Sequence, residues 1–488
     1  MVLFGLLFAK LNWIQAYKAD EYRNSPYNGR VQVAEYERKR GTIEAGPTQL
    51  ATVKDTTGEL KYQRVYPKGA VYAHVLGYKP VNLGSVGIER TENDFLSGNS
   101  DQLIADRLGD MFTGNKTSGG TVRLTLLRSA QETAYKQLAS NKVGATKGAA
   151  VAIDPNTGAV QALVSMPSFD PNPLTDHDTE AAAAAYQKLN ADPDGPLRNR
   201  ALSETLPPGS TFKVIDAAAA LETGIGKNTR IPAGPVYRAP TAGTDIRNAA
   251  PSICPEDSVT LKEALTESCN TGFAQLAVKL GADKIKEKAR AFGFEQEDLT
   301  CGRLTGDGLP VAASRTGAIQ NPDGSQDTAA LAQSAIGQNN VRMTPIQGAM
   351  IAAAVAKSGS QMRPYLVQQL LGPDRTTSYY TAEPKELRRP VDAEVAADLR
   401  DMMVSVVENG TGTSAQISGF TVGGKTGTAQ AGEETEDHGW FIGFVMKDGQ
   451  PISAVAVVLE AAGKGGSAEA SRISREIMRA VIADRGIK

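Results

Sequence analysis

The chain has 488 residues, room for two or three domains, and its 22% charged and 41% apolar residues are those of a folded chain, not a disordered one. A net charge of −2 offers no electrostatic basis for binding nucleic acid. Three cysteines (Cys254, Cys269, Cys301) and three histidines (His74, His177, His438) are too few and too scattered for a zinc cage, so no metal or other cofactor is expected.

The chain opens on an apolar run, residues 1–9, followed by Trp13 and Tyr17. The run is shorter than the about 20 residues that a spanning helix needs. No charged region precedes it and no small-residue cleavage site follows, which argues against a signal peptide. We read residues 1–17 as part of a single-pass anchor in the cell membrane, with Trp13 and Tyr17 at the interface and the rest of the chain outside the cytoplasm. An ordinary buried N-terminal helix is the alternative.

Residues 18–40 are polar and read as loop and short strands. Residues 49–53 and 60–66 read as strands separated by T-T-G and followed by a P-K-G turn. Residues 90–109 look helical, and a Gly/Ser/Thr-rich stretch, 113–121, reads as a hinge between a first domain, 18–118, and a second, 119–488. Residues 125–139 carry helical apolar spacing. Residues 149–166 read strand, D-P-N-T-G turn, strand. Alanine-rich helical stretches follow at 180–189, 213–221, 261–292 and 344–356. Strands return at 420–422, 440–445 and 452–459, and a helix at 471–483 closes the chain. This order predicts an α+β fold, an antiparallel sheet flanked by helices, preceded by a mixed, strand-rich domain.

Chemistry first appears in P-P-G-S-T-F-K, which holds Ser210 and Lys213. The prolines and Gly209 stop the preceding element, so Ser210 opens a helix and Lys213 lies on its face. An uncharged lysine there can take the serine proton and make Ser210 a nucleophile. Ser is also a common helix cap, and S-x-x-K alone is a loose pattern. Ser268-Cys269-Asn270 interrupts a helical run, so a hydroxyl and an amide could point into one cleft. Ser97-Gly98-Asn99 has the same spacing but reads as a turn. Lys425-Thr426-Gly427-Thr428 follows Gly423-Gly424 on a strand, where it can present Lys425 and Thr426 to a cleft while Gly427 lets a ligand backbone approach. Lys357-Ser358-Gly359 is a similar triplet, but it ends a helix and its glycine is a natural cap. The decisive feature is the set, Ser210, Ser268 and Lys425, in one order with suitable local structure at each.

With these motifs the chain resembles the class B penicillin-binding proteins, monofunctional peptidoglycan transpeptidases, and among them the actinobacterial penicillin-binding protein A branch. Arg40-Gly41-Thr42-Ile43, Arg64-x-Tyr66-Pro67-x-Gly69, Ala73-His74-Val75-x-Gly77-Tyr78 and Gly87-Ile88-Glu89 are similar to blocks of the family's non-catalytic pedestal. Gly148 to Asn172 is similar to the opening hairpin of its transpeptidase domain. After R-G-x-I, however, the family usually has an acidic, Arg-Asn-Gly-like turn, where this chain reads E-A-G-P-T-Q-L-A.

The resemblance implies that Ser210 is acylated by a D-Ala-D-Ala stem peptide, releasing the terminal D-Ala, and that an amine of a neighbouring stem then forms the cross-link. It makes Lys213 the base and sets Ser268 and Asn270 beside it. It gives Lys425 a charge role and Thr426 and Thr428 the substrate carboxylate, with Gly427 between them in the substrate-binding stretch. The backbone N–H groups of Ser210 and Thr428 become the oxyanion hole. β-Lactams would acylate Ser210. The implied partners are a membrane glycan polymerase and the division or elongation machinery, without nucleic acid. A D,D-carboxypeptidase and a penicillin-binding sensor without synthetic activity stay open as alternatives. A domain outside the membrane sits where disulfides persist, so Cys254 and Cys269, the nearest pair in sequence, are expected to be bridged and Cys301 free, three reduced thiols being the alternative.

Overall fold

The computed structural model describes residues 2–16, 18, 35–82, 84–104, 118–243, 245–430 and 435–487. They form two compact units, one of residues 1–123, 169–192 and 369–381, the other of residues 124–168, 193–368 and 382–488.

In the second unit the D-P-N-T-G turn forms as the sequence predicts. Asp154 Oδ1 accepts from Asn156 N at 2.9 Å, and Gly158 N donates to Asp154 O at 2.8 Å. Gly158 has a φ of 84°, and a Cβ there would lie 2.2 Å from Arg363 O, so only glycine fits. The turn joins β1 (Gly148–Ile153) to β2 (Val160–Met166). With β3 (Thr421–Ala429), β4 (His438–Lys447) and β5 (Gln450–Leu459) they make a five-stranded sheet in the order β3-β4-β5-β1-β2, antiparallel throughout.

β4 is almost wholly buried because helices cover both faces. Phe441 and Val445 share a core with Ala130 and Leu138 of the Arg128–Ala139 helix and with Ile473 and Ile477 of the Gly466–Asp484 helix. Ile442, one residue on, points to the other face. There the Pro345–Ala356 helix comes so close that a Cβ on Gly348 would lie 2.9 Å from Ile442 Cγ2. Each such side chain contributes about 1.5–3 kcal/mol by its burial, and Phe441→Ala would cost about 3–5 kcal/mol. The two glycines before Lys425 have a packing reason. A Cβ on Gly423 would meet Phe444 Cζ at 2.3 Å, and one on Gly424 would meet Phe441 Cζ at 2.2 Å.

The helical part departs from the expected elements in several places, among them the unexpected helix Thr328–Ala335. The stretch 261–292 is three helices, Leu261–Thr266, Asn270–Leu280 and Ala282–Phe292, broken where Ser268 and Gly281 take φ values of 64° and 90°. A further helix, Ala393–Asn409, is capped by Asp392 and buries Val395, Leu399, Met402, Met403 and Val406. Its apolar residues have helical spacing, although the segment is not among the expected elements.

In the first unit a six-stranded sheet runs in the order Ser378–Thr381, Val367–Leu371, Thr121–Leu124, Ile43–Ala45, Thr48–Asp55, Tyr62–Val65. Three of the sequence blocks meet on one buried carboxylate. Glu89 takes Arg40 Nε at 2.8 Å, Arg64 Nε at 2.6 Å and the Tyr66 hydroxyl at 3.2 Å. Burial opposes its charge, but Arg64 and Arg40 outweigh that and hold Glu89 below the usual carboxylate range. Within the expected 90–109 helix the described residues form short turns of helix, Ile88–Thr91, Asn93–Leu96 and a 3₁₀ turn at Asp101–Leu103. Residues 105–117, with the rest of that helix and most of the expected hinge, lie outside the described residues, as do residues 19–34 and Tyr17.

The expected membrane anchor needs correction. The first helix is Val2–Ala16, 15 residues, or about 22 Å at 1.5 Å each, against about 30 Å of hydrocarbon. Among the described residues no helix is long and apolar enough to cross a membrane, which overturns the single-pass localisation.

Candidate active site

Ser210 sits in a single 3₁₀ turn, Gly209–Phe212, which runs into the Lys213–Glu222 helix. Two close backbone approaches fix this turn. Gly209, at φ 54°, lies so near β3 that a Cβ on it would meet Thr428 O at 2.4 Å, and a Cβ on Gly427 would meet Pro208 O at 2.6 Å. On its other side Gly209 N donates to Gly337 O at 3.1 Å, and a Cβ on Gly337 would lie 2.0 Å from Gly209 O. Gly427, expected to give a ligand backbone clearance, also clears the serine turn. Gly337 is not among the expected site residues, because its contact with Gly209 is distant in sequence.

The second element is a corner. Ser268 holds its left-handed conformation between the Leu261–Thr266 and Asn270–Leu280 helices. Strained non-glycine backbone of this kind persists only where its surroundings enforce it. Asn248 Oδ1 does so from one side, accepting from Asn270 N at 2.8 Å and Thr271 N at 3.2 Å. From the other, Cys269 is bonded to Cys254, with a Cα–Cα distance of 6.1 Å, while Cys301 is free and buried. The expected pairing is therefore the one the structure has.

The third element is β3. Lys425 is fully buried, whereas Thr426 and Thr428, two residues apart and so on one face, line the cleft. This corrects the expectation that Lys425 and Thr426 share an accessible side, because successive residues of a strand alternate.

The three elements meet. Lys213 Nζ donates to Asn270 Oδ1 at 2.7 Å, Ser268 O at 2.8 Å and Ser268 Oγ at 3.3 Å. Lys425 Nζ donates to Ser268 Oγ at 2.8 Å and Thr426 O at 3.2 Å. Ser210, Ser268, Asn270, Thr426 and Thr428 all line one cleft of about 640 Å³. Lys213 thus turns toward Ser268 and Asn270 rather than back onto the Ser210 hydroxyl. Ser97 and Lys357, the rejected look-alikes, line no part of the cleft.

Burial pushes Lys213 well below the ordinary amine range; the like charge of Lys425 adds to this, and Asp216 acts the other way. Burial brings Lys425 down to about 7. Asp216, one turn after Lys213, is fully buried with both carboxyl oxygens unpartnered, and burial drives it well above the usual carboxylate range. The site thus holds an amine that can be neutral, a hydroxyl bridging two amines and a pair of threonine hydroxyls, a set suited to activating a serine and holding an anionic substrate.

Two family profiles match the chain. The one described as the penicillin binding protein transpeptidase domain matches residues 148–481, and the one described as the penicillin binding protein A dimerisation domain matches residues 40–122. The chain belongs to the penicillin-binding protein transpeptidases. It is 42% identical over 487 residues to the peptidoglycan D,D-transpeptidase PbpA of Mycolicibacterium smegmatis, covering 99% of this chain and 96% of that protein. Among solved structures it is similar to penicillin-binding protein A from Mycobacterium tuberculosis in its ceftriaxone acyl-enzyme complex, with 40% identity, a TM-score of 0.86 and coverage of 92% of this chain and 100% of that one. A D,D-transpeptidase domain from Eggerthella lenta matches at 30% identity and a TM-score of 0.78, over 92% of this chain and 100% of that one. This penicillin-binding protein combines the two family regions in the order that the sequence blocks predict.

Proposed function

We propose that this protein cross-links peptidoglycan stem peptides through an acyl-enzyme on Ser210. The observation that carries the reading is the convergence of Lys213 and Lys425 on Ser268 in the cleft that Ser210 lines. Ser210 Oγ attacks the carbonyl between the two D-Ala residues as its proton passes to neutral Lys213, directly or through Ser268. The C–N bond then breaks, and the departing D-Ala amine takes that proton. An amine from a second stem attacks the ester, forms the cross-link and regenerates Ser210. Asn270 holds the peptide, and Thr426 and Thr428 hold the terminal carboxylate with Lys425 behind them. The Ser210 and Thr428 N–H groups stabilise the oxyanion, a contribution of a few kcal/mol in such sites. The opposed glycines Gly209 and Gly427 support this placement, because they bring the serine turn onto β3.

In this reading residues 18–118 are the pedestal and residues 119–488 the transpeptidase domain. A glycan polymerase would supply the strands, within division or elongation machinery. β-Lactams acylate Ser210 as mimics of the donor peptide.

The test is Ser210→Ala. The folded variant is expected to lose all covalent labelling by a fluorescent penicillin, and labelling that survives would refute the assignment. Turnover of a D-Ala-D-Ala thioester with and without an added amine acceptor then separates cross-linking from hydrolysis.

A further inference from the structure

Gly410, Thr411 and Gly412 follow the Ala393–Asn409 helix in a turn whose geometry leaves little freedom. A Cβ on Gly410 would lie 2.2 Å from Thr266 O, so the turn is pressed against the end of the Leu261–Thr266 helix. Gly412 N donates to Val406 O at 2.9 Å, and Thr266 Oγ1 donates to Ser405 Oγ at 2.9 Å. The turn therefore connects the helix that leads to Ser268 with the strand that carries Lys425. Thr411, between the two glycines, is exposed to the cleft and lines it together with Ser210, Ser268, Thr426 and Thr428.

Its hydroxyl lies 2.5 Å from that of Thr426, a short O–H···O contact. Thr426 is buried as a whole, and it meets the cleft beside Thr411. Either oxygen could donate in the free protein, but an anion in the cleft removes the choice. A carboxylate only accepts. For Thr426 to donate to it, the Thr426 oxygen must accept its other hydrogen bond, and Thr411 is the donor within reach.

We propose that Thr411 is a positioning residue for the substrate carboxylate: it donates to Thr426 Oγ1 and so aims the Thr426 proton into the cleft. The proposal rests on the reading of Thr426 and Thr428 as carboxylate-binding hydroxyls. Thr411 touches no reacting atom in it. The two hydroxyls form a short chain ending on an anion, an arrangement in which each hydrogen bond strengthens the next.

The experiment compares wild type, Thr411→Val and Thr411→Ser on two acyl donors, a D-Ala-D-Ala-type thioester with a free terminal carboxylate and the same compound as its carboxamide. Thr411→Val keeps the shape and removes the donor. It is expected to raise KM for the carboxylate donor about five- to tenfold, with kcat within about twofold. It should leave the carboxamide kinetics unchanged, and Thr411→Ser should stay within about twofold of wild type. Equal losses on both donors, or no rescue by serine, would make Thr411 a purely structural residue and overturn the proposal. Unchanged kinetics of Thr411→Val would overturn it directly. If wild type itself does not distinguish carboxylate from carboxamide, the reading of the two threonines fails and the proposal falls with it, while Ser210 labelling by penicillin still tests the nucleophile separately.

Discussion

Lys425 Nζ donates to Ser268 Oγ at 2.8 Å, on the same oxygen that Lys213 Nζ approaches at 3.3 Å. One hydroxyl therefore stands between two buried amines. It accepts from one and can hand its own proton to the other once that amine is neutral. Ser268→Ala removes this link but leaves Lys213 its partners at Ser268 O and Asn270 Oδ1, which do not depend on the hydroxyl. The variant is expected to fold normally and to be acylated by penicillin about 100-fold or more slowly, the range of general acid–base effects. Acylation within about threefold of wild type would show that the proton does not pass through Ser268.

The Cys254–Cys269 bond closes a loop of 15 residues that ends beside Ser268. In the chain-entropy model such a loop is worth about 3 kcal/mol. A Cys254→Ser, Cys269→Ser variant should therefore melt at a lower temperature. Because Asn248 holds the corner only from one side, its acylation should also slow by a larger factor than that of a Cys301→Ser control. Thermal melts and acylation rates of the two variants check this, and equal behaviour would leave the bridge no role at the site.

What the sequence revealed, and what it hid, follows contact range. Ser210 and Lys213 are three apart, in the 3₁₀ turn and at the start of the helix it runs into, Ser268 and Asn270 flank one corner, and Lys425 to Thr428 run along one strand. Each set is local, so spacing suggests it, and the occurrence of all three in one order separates it from the look-alikes at Ser97 and Lys357. The partners that hold these sets together are distant. Gly337 meets Gly209, and Thr411 meets Thr426 across a strand-and-turn connection. Period alone cannot predict such meetings. The run 261–292 looked like one helix because its composition stays helical through Ser268, where backbone geometry breaks it. The segments 169–192 and 369–381 join the first unit although they come late in the chain, and only their packing shows this. Asp216 reads as an ordinary polar helix residue, yet it is fully buried.

That burial has a pH consequence. Asp216 in the folded chain lies well above its ordinary value, so the folded state holds its proton more tightly than the unfolded state does. Stability from this group is fully present below the unfolded value, near ~3.9, and is lost as pH rises from there toward the folded value. Asp216→Asn keeps the shape and removes the titration. Its melting temperature should match that of wild type near pH 4 and exceed it increasingly toward neutral pH. A constant difference at all pH values would mean that the carboxyl keeps its ordinary ionisation in the fold.

The two lysines should give penicillin acylation a pH profile with separable limbs. Lys213 must be neutral to accept the Ser210 proton, and burial together with the like charge of Lys425 keeps it well below the ordinary amine range. The acid limb therefore reports Lys213. Lys425, brought to about 7 by burial, loses its charge as pH rises through that value, and with it some of its hold on the carboxylate. The alkaline limb reports Lys425. Lys425→Arg keeps a positive charge across the whole range, so its alkaline limb should flatten while the acid limb stays in place, although the guanidinium fork can lower the plateau. Lys425→Ala removes the like charge. Its acid limb should move to higher pH, and its plateau should fall by about 10- to 100-fold for the lost charged hydrogen bond. Second-order acylation rates from about pH 5 to 10 for the three proteins decide the matter, a range that brackets a base tuned toward neutrality. If Lys425→Ala lowers the rate by one factor at every pH, Lys425 binds substrate without tuning Lys213.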